Sequence, residues 1–174
     1  MSKRKKRVAN AKIPKKNVKT QQPNEDDRIY IDFTQYGKWT DTISMKEFTN
    51  TLKDVEEAFR HFGFILKHLL KYIENNGKNI LSNNVKHCHS LTGNARKLAV
   101  KVAREIHGSN ILDEDTNLWQ LAVSTEEIRI VGTFVEKTFY PLFIDHHHLI
   151  YPSQKYNQND YKHYKYVSQE HLKN

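Results

Sequence analysis

The stretch IRIVGTFVEKTFYPLFID, residues 128–145, decides the fold. Ile128, Ile130 and Phe134 fall on one face of an extended chain, Glu136 and Lys137 form a polar turn, and Thr138 to Ile144 extends again. Alternation with period two, interrupted by a short polar turn, is the pattern of neighbouring strands. Pro141 has no amide hydrogen for a ladder, which predicts an edge position or a bulge there. Upstream, Leu118 to Val123 places Trp119, Leu121 and Val123 on one face. The three runs together predict an antiparallel meander.

Before the meander the period changes. Asn94 to His107 sets Ala95, Leu98, Ala99, Val102 and Ile106 on one helical face and stops at Gly108. Further upstream, Ser44-Met45-Lys46-Glu47 has the form of a capping box and predicts a long helix to Asn75 and Gly77. Its stripe runs Phe48, Leu52, Val55, Phe59, Phe62, Leu66, Leu69, Ile73, in steps of four and three. Ile29, Ile31 and Phe33 alternate with Tyr30 and Asp32, a short strand signal. The fold class expected is therefore α+β: a long N-terminal helix and a second helix packed on a small antiparallel β-meander, behind a disordered basic arm. The expected core includes Phe48, Leu52, Val55, Phe59, Phe62, Leu66, Leu98, Val102, Trp119, Leu121, Ile130 and Phe143. Three sections follow: an arm and linker at 1–27, one α+β domain at 28–152, and a Tyr/Lys-rich tail at 153–174.

Charge is segregated along the chain. Among its 174 residues, 28 Lys and Arg face 20 Asp and Glu, a net +8. Residues 1–20 alone hold nine cations and no acid, so the remainder carries −1. Such an arm self-repels and does not fold alone, yet it releases counterions when it meets a phosphate backbone. The nucleic-acid-binding candidates are Lys3, Arg4, Lys5, Lys6, Arg7, Lys15 and Lys16 in the arm, and Lys155, Tyr156, Lys162, Tyr164 and Lys165 in the tail. In the tail, tyrosine rings would stack on unpaired bases while lysines neutralise phosphates, or would dock the tail on the body. A solubilising role and a nuclear address are the competing readings of the arm.

Several classes are excluded. A mean hydropathy of −0.79 and the lack of any apolar run near 20 residues argue against a spanning helix. The basic start leads into no apolar stretch, so no signal peptide is expected and the compartment expected is the cytoplasm. One cysteine, Cys88, forms no intramolecular disulfide and reads as a packing residue. With six glycines and no GxGxxG, GxxxxGK or GxSxG, nucleotide-cradling and serine-hydrolase readings fall away. No cofactor is expected, and no metal, because His87, His89, His146, His147 and His148 match no zinc spacing.

The remaining chemistry lies where the third strand ends. If extended geometry persists, His146 and His148 share a face and His147 points away. Arg129 lies on the neighbouring strand and Tyr151 just beyond. The order Leu121, Arg129 to Val131, Phe139 to Asp145, Tyr151 resembles RelE/ParE-type bacterial toxins over residues 94–152. The resemblance implies a helical hairpin packed on a small sheet. It also implies ribosome-dependent mRNA cleavage, or action on gyrase in the ParE branch. By position it implies catalytic roles for Arg129, His148 and Tyr151; His146, on the expected face of His148 at the strand exit, is a further catalytic candidate. An enzyme of this kind would be a metal-independent RNA endonuclease: His148 taking the 2′-hydroxyl proton, Arg129 holding the phosphate, Tyr151 positioning the nucleotide.

Two functions are thus expected from different classes. The first is a small intracellular nucleic-acid-binding protein, RNA before DNA, with nucleic acid or the ribosome as partner. The second is a protein-interaction module, an inhibitor or assembly factor, docking through the sheet edge or the long helix.

Overall fold

The structure is a computed structural model and describes residues 27–123, 128–152, 161–167 and 169, with the Lys162 side chain outside that description. The basic arm, Lys155 and Tyr156 lie outside the described residues. Elements follow in the order β1 (Tyr30–Ile31), β2 (Ser44–Met45), β3 (Phe48–Thr49), α1 (Val55–Phe64), a π turn (Ile65–Leu69), α2 (Leu70–Asn75) and α3 (Gly77–Leu81). Then come β4 (His89–Ser90), α4 (Gly93–His107), β5 (Leu118–Ala122), β6 (Arg129–Val135) and β7 (Thr138–Asp145). The chain mixes helices and strands, as the α+β reading requires.

The meander forms where the alternation places it. β5, β6 and β7 pair antiparallel, extended by β4 beside β5 and by β1 beside β7, giving the order β1-β7-β6-β5-β4. β1 alone runs parallel to its neighbour, with Tyr30 opposite Thr138. Pro141 sits at a bulge: Val131 faces Phe143 but Gly132 faces Pro141, so the ladder skips Leu142. The carbonyl of Leu142 accepts a 2.7 Å hydrogen bond from His107 Nε2 of α4. The bulge also turns Leu142 and Phe143 to the same face, where strict alternation would separate them. Gly132 is required beside it, because a Cβ there would overlap the Tyr140 carbonyl and lie 2.7 Å from Phe139 Cζ.

Both sheet faces are covered. Ala95, Ala99, Val102, Ala103 and Ile106 of α4 pack with Val131, Leu142 and Phe143 on one face. Ile65, Leu69, Ile73 and Ile80 of the α1–α3 segment pack with Leu121, Ile130, Phe139 and Ile144 on the other. Cys88 is fully buried in this second core, where burial raises its thiol pKa.

The long helix from Ser44 is corrected: helix begins at Val55. Ser44 and Met45 instead pair with Thr49 and Phe48 as a hairpin. Asn50, 1% exposed, locks that hairpin to the sheet. Its Oδ1 accepts from Ile43 N at 2.7 Å, and its Nδ2 donates to Ile144 O at 3.0 Å. The hairpin has a packing reason. Phe48 meets Phe143 edge-to-face, 5.6 Å between centroids, in the α4 core, whereas Ile65 to Ile73 lie in the opposite core. A single straight helix cannot reach both faces of one sheet. The operative cap is Asp54, whose Oδ1 accepts from Glu57 N at 2.9 Å while Glu57 Oε2 accepts from Lys53 N at 2.7 Å.

The helix phase shifts as a result. The buried residues are Ala58, His61, Ile65, Leu69 and Ile73, at steps of three and then four. Repeated steps of four overshoot a turn of about 3.6 residues; the wider π turn at Ile65–Leu69 absorbs the excess. Val55, Phe59 and Leu66, expected in the core, are 65%, 82% and 66% exposed.

Candidate functional site

The site is built by one carboxylate. Asp145 ends β7 fully buried, its Oδ1 accepting from His147 N at 3.2 Å and Leu149 N at 2.9 Å, and its Oδ2 from Ile150 N at 2.8 Å. Three amides on one carboxylate wind the chain into a tight turn, and His148 takes a left-handed φ of +57°. Strand geometry therefore stops at Asp145 and the expected shared face of His146 and His148 does not form. The three imidazoles fan out in three directions.

His146 turns toward α1. Its Nδ1 lies 3.0 Å from Nδ1 of His61, so one ring donates and the other accepts. Phe62 meets the His146 ring edge-on at 6.0 Å. Burial holds His146 well below the ordinary imidazole range and brings His61 down to about 4. This is a sealed neutral pair that joins helix to sheet. His147 is buried too. Its Nε2 donates to the Thr51 carbonyl at 2.8 Å, and its ring stacks on Tyr161 at 4.2 Å with Tyr164 edge-on at 5.7 Å. Tyr164 thus docks the tail on the body, helped by Tyr166, whose amide donates to Leu52 O at 2.9 Å. Lys165 is exposed.

His148 takes the third direction and stays half-buried. It lies in the field of Arg129, Asp145 and His87, with burial first and the Arg129 charge second in lowering its pKa. His87 is lowered in the same order of causes, burial and then Arg129. Arg129 is 5% exposed, stands opposite Asp145 in the β6–β7 ladder, and donates from Nη1 to the Ile128 carbonyl at 3.0 Å. Tyr151 packs edge-on against His89, 5.5 Å between centroids. The structure therefore sets His148 in the electrostatic field of Arg129, places Tyr151 beside His89, and turns His146 to His61 of α1.

A family model described as "Uncharacterised protein UU032" matches residues 35–174. The chain belongs to the UU032 family. It is 30% identical over 165 residues to "Uncharacterized protein UU032" of Ureaplasma parvum serovar 3, which spans 92% of each chain. No solved structure matches. The family match contains the whole histidine fan and Arg129, and it begins downstream of the basic arm.

Two participants were not legible as site residues. His61 lies on the inward stripe only once the helix is phased from Asp54. His87 comes from the loop before β4, and only the β4–β5 pairing brings that loop to the sheet end. Chemically, a neutral, half-buried imidazole beside a guanidinium can accept a proton while the cation neutralises an oxyanion. Among the described residues, no group of three or more His, Cys, Asp or Glu side chains is placed to hold a metal ion. No helix among them is long and apolar enough to cross a membrane.

Proposed function

We propose that the chain binds nucleic acid, RNA in preference to DNA, with the basic arm as capture element and the folded body as its scaffold. Charge segregation carries this reading: nine cations in residues 1–20 against a net −1 for everything else. An arm of that density gains affinity by releasing counterions, whatever the sequence of the bound strand. The interleaved tail residues Lys155, Tyr156, Lys162 and Lys165 support the same chemistry, whereas Tyr164 is engaged in docking the tail. The test replaces Lys3, Arg4, Lys5, Lys6, Arg7, Lys15 and Lys16 with Gln in the full chain and titrates labelled RNA across salt concentrations. Affinity is expected to fall, and the salt slope to flatten by about 0.7 for each phosphate that is no longer neutralised. Unchanged affinity and slope would remove the arm from the reading.

A second reading, a protein-interaction module, draws on a different observation. Val55, Phe59 and Leu66 form an exposed apolar stripe at steps of four and seven along α1 and the π turn. Exposed large apolar residues grouped on one helix face mark interaction sites in soluble proteins. A protein retained by the chain after nuclease treatment, and released by Phe59→Ser, would favour this reading over the first.

A further inference from the structure

Between β1 and the π turn–α2 segment runs a groove of about 530 Å³. Its polar lining is Arg28, Tyr30, Lys67, Lys71 and Glu74, over a floor that includes Leu66. Lys67 and Lys71 are both exposed and stand one helical turn apart. Among the described residues, ion pairs link Arg60 to Glu57, Lys78 to Asp27 and Lys101 to Glu47, and none involves Lys67, Lys71 or Arg28. Arg28 Nε is buried without a hydrogen-bond partner among them. Like charges four residues apart on a helix repel, and a buried donor without a partner is costly, more so when charged. Three cations against the single carboxylate of Glu74 therefore favour an anionic occupant. Tyr30 adds an aromatic ring 54% exposed on the edge strand.

We propose that this groove binds the backbone of single-stranded RNA, with phosphates on Arg28, Lys67 and Lys71 and one base stacked on Tyr30. The proposal rests on the RNA reading above and names where the captured strand is held. The basic arm cannot be the occupant, because it carries the same sign of charge as the groove. Instead, Asp27 pairs with Lys78 on α3 at 3.5 Å, so the chain leaving the arm is anchored next to Arg28. In the chain, only residues 21–27 separate the arm from Arg28. A single strand is the occupant chosen because its unpaired bases are free to stack on Tyr30 while its phosphates meet the cations, whereas a duplex keeps its bases paired and stacked on one another.

The test uses the full chain and a fluorescein-labelled single-stranded RNA of about 12 nucleotides, within the site sizes usual for such binders. Lys67→Gln with Lys71→Gln is expected to weaken binding about tenfold and to lower the salt slope by about 1.4, two phosphates at about 0.7 each. Tyr30→Ala is expected to weaken binding about tenfold with the slope unchanged, in the range of one base stack removed. Lys97→Gln with Lys101→Gln on α4 is the charge-matched control and leaves both quantities near those of the unmodified chain. Wild-type binding by the groove variants, or an equal loss in the control, overturns the groove and leaves the arm reading standing. Polyglutamate displacing the RNA equally well from the unmodified chain and from Tyr30→Ala assigns the groove to an acidic peptide and overturns the RNA occupant. No binding by the unmodified chain overturns both the RNA reading and the groove.

Discussion

α4 and the α1–α2 segment carry comparable apolar stripes, yet α4 turns inward the one its sequence displays while α1–α2 fully buries only Leu69 and Ile73 of its own. In α4, Ala95, Ala99, Val102 and Ile106 are buried as spaced, and the helix ends at Gly108 as expected. In α1–α2, Val55, Phe59 and Leu66 face solvent while Ala58, His61, Ile65 and Leu69 face the sheet. The difference lies at the starting point. α4 has one competent start, whereas residues 44–57 contain two capping patterns, Ser44 with Glu47 and Asp54 with Glu57. The chain uses the second, because Ser44 and Phe48 are held in a hairpin that delivers Phe48 to the opposite core. Which cap operates sets which residues turn inward, so an ambiguity of ten residues at the start propagates through three helical turns.

The strongest challenge to this contrast is a core truncation on the inward stripe. Leu69→Ala is expected to cost about 2–5 kcal/mol, read as a lower urea midpoint at unchanged slope. A loss under about 1 kcal/mol would place Leu69 on the surface and overturn the inward stripe of Ala58, His61, Ile65, Leu69 and Ile73.

The next effect is acid lability from the inward histidine. The folded pKa of His61 is about 4, below its ordinary 6.5, so the unfolded chain takes up the proton first. Its contribution is complete above pH 6.5 and is lost as pH falls from 6.5 towards about 4. His146, lowered in the same direction by burial, adds to the loss. Urea denaturation repeated across that window should show stability falling with pH. In His61→Leu with His146→Phe the fall should be shallower; an unchanged profile would place the pair's titration elsewhere.

Smaller still is the cap. Asp54→Ala is expected to cost about 1 kcal/mol, and Ser44→Ala less than about 0.5 kcal/mol, when the two are compared by thermal melting. The reverse ranking would move the helix start back to Ser44. Smallest of all is Phe59→Ala, expected within about 0.5 kcal/mol of the parent because the ring is 82% exposed. A cost near the roughly 3–5 kcal/mol of a buried phenylalanine would return it to the core.

The site was legible in part, for the same reason as the helices. Arg129 and His148 could be grouped from sequence because the meander register is local: two runs, one short turn, and a bulge announced by Pro141, whereas Tyr151 packs on His89 instead. His146 could not be separated from His148, since that depends on Asp145 closing a turn with three amides. His61 and His87 arrive from 85 and 58 residues away in the chain relative to His146 and Asp145, over distances no local pattern spans.

By itself the sequence determined the meander, α4 with its stop, and the segregation of charge into the first 20 residues. Alternation, glycine stops and charge density act on near neighbours, so they read the same in the chain as in the fold. Tertiary structure alone decided the start of α1, the parallel addition of β1 to β7, the pairing of His61 with His146, and the groove between β1 and α2. Each of these depends on which sheet face a segment reaches. Where two local solutions are nearly equal in energy, burial against a distant partner chooses between them, because removing apolar side chains from water is worth more than the choice of cap.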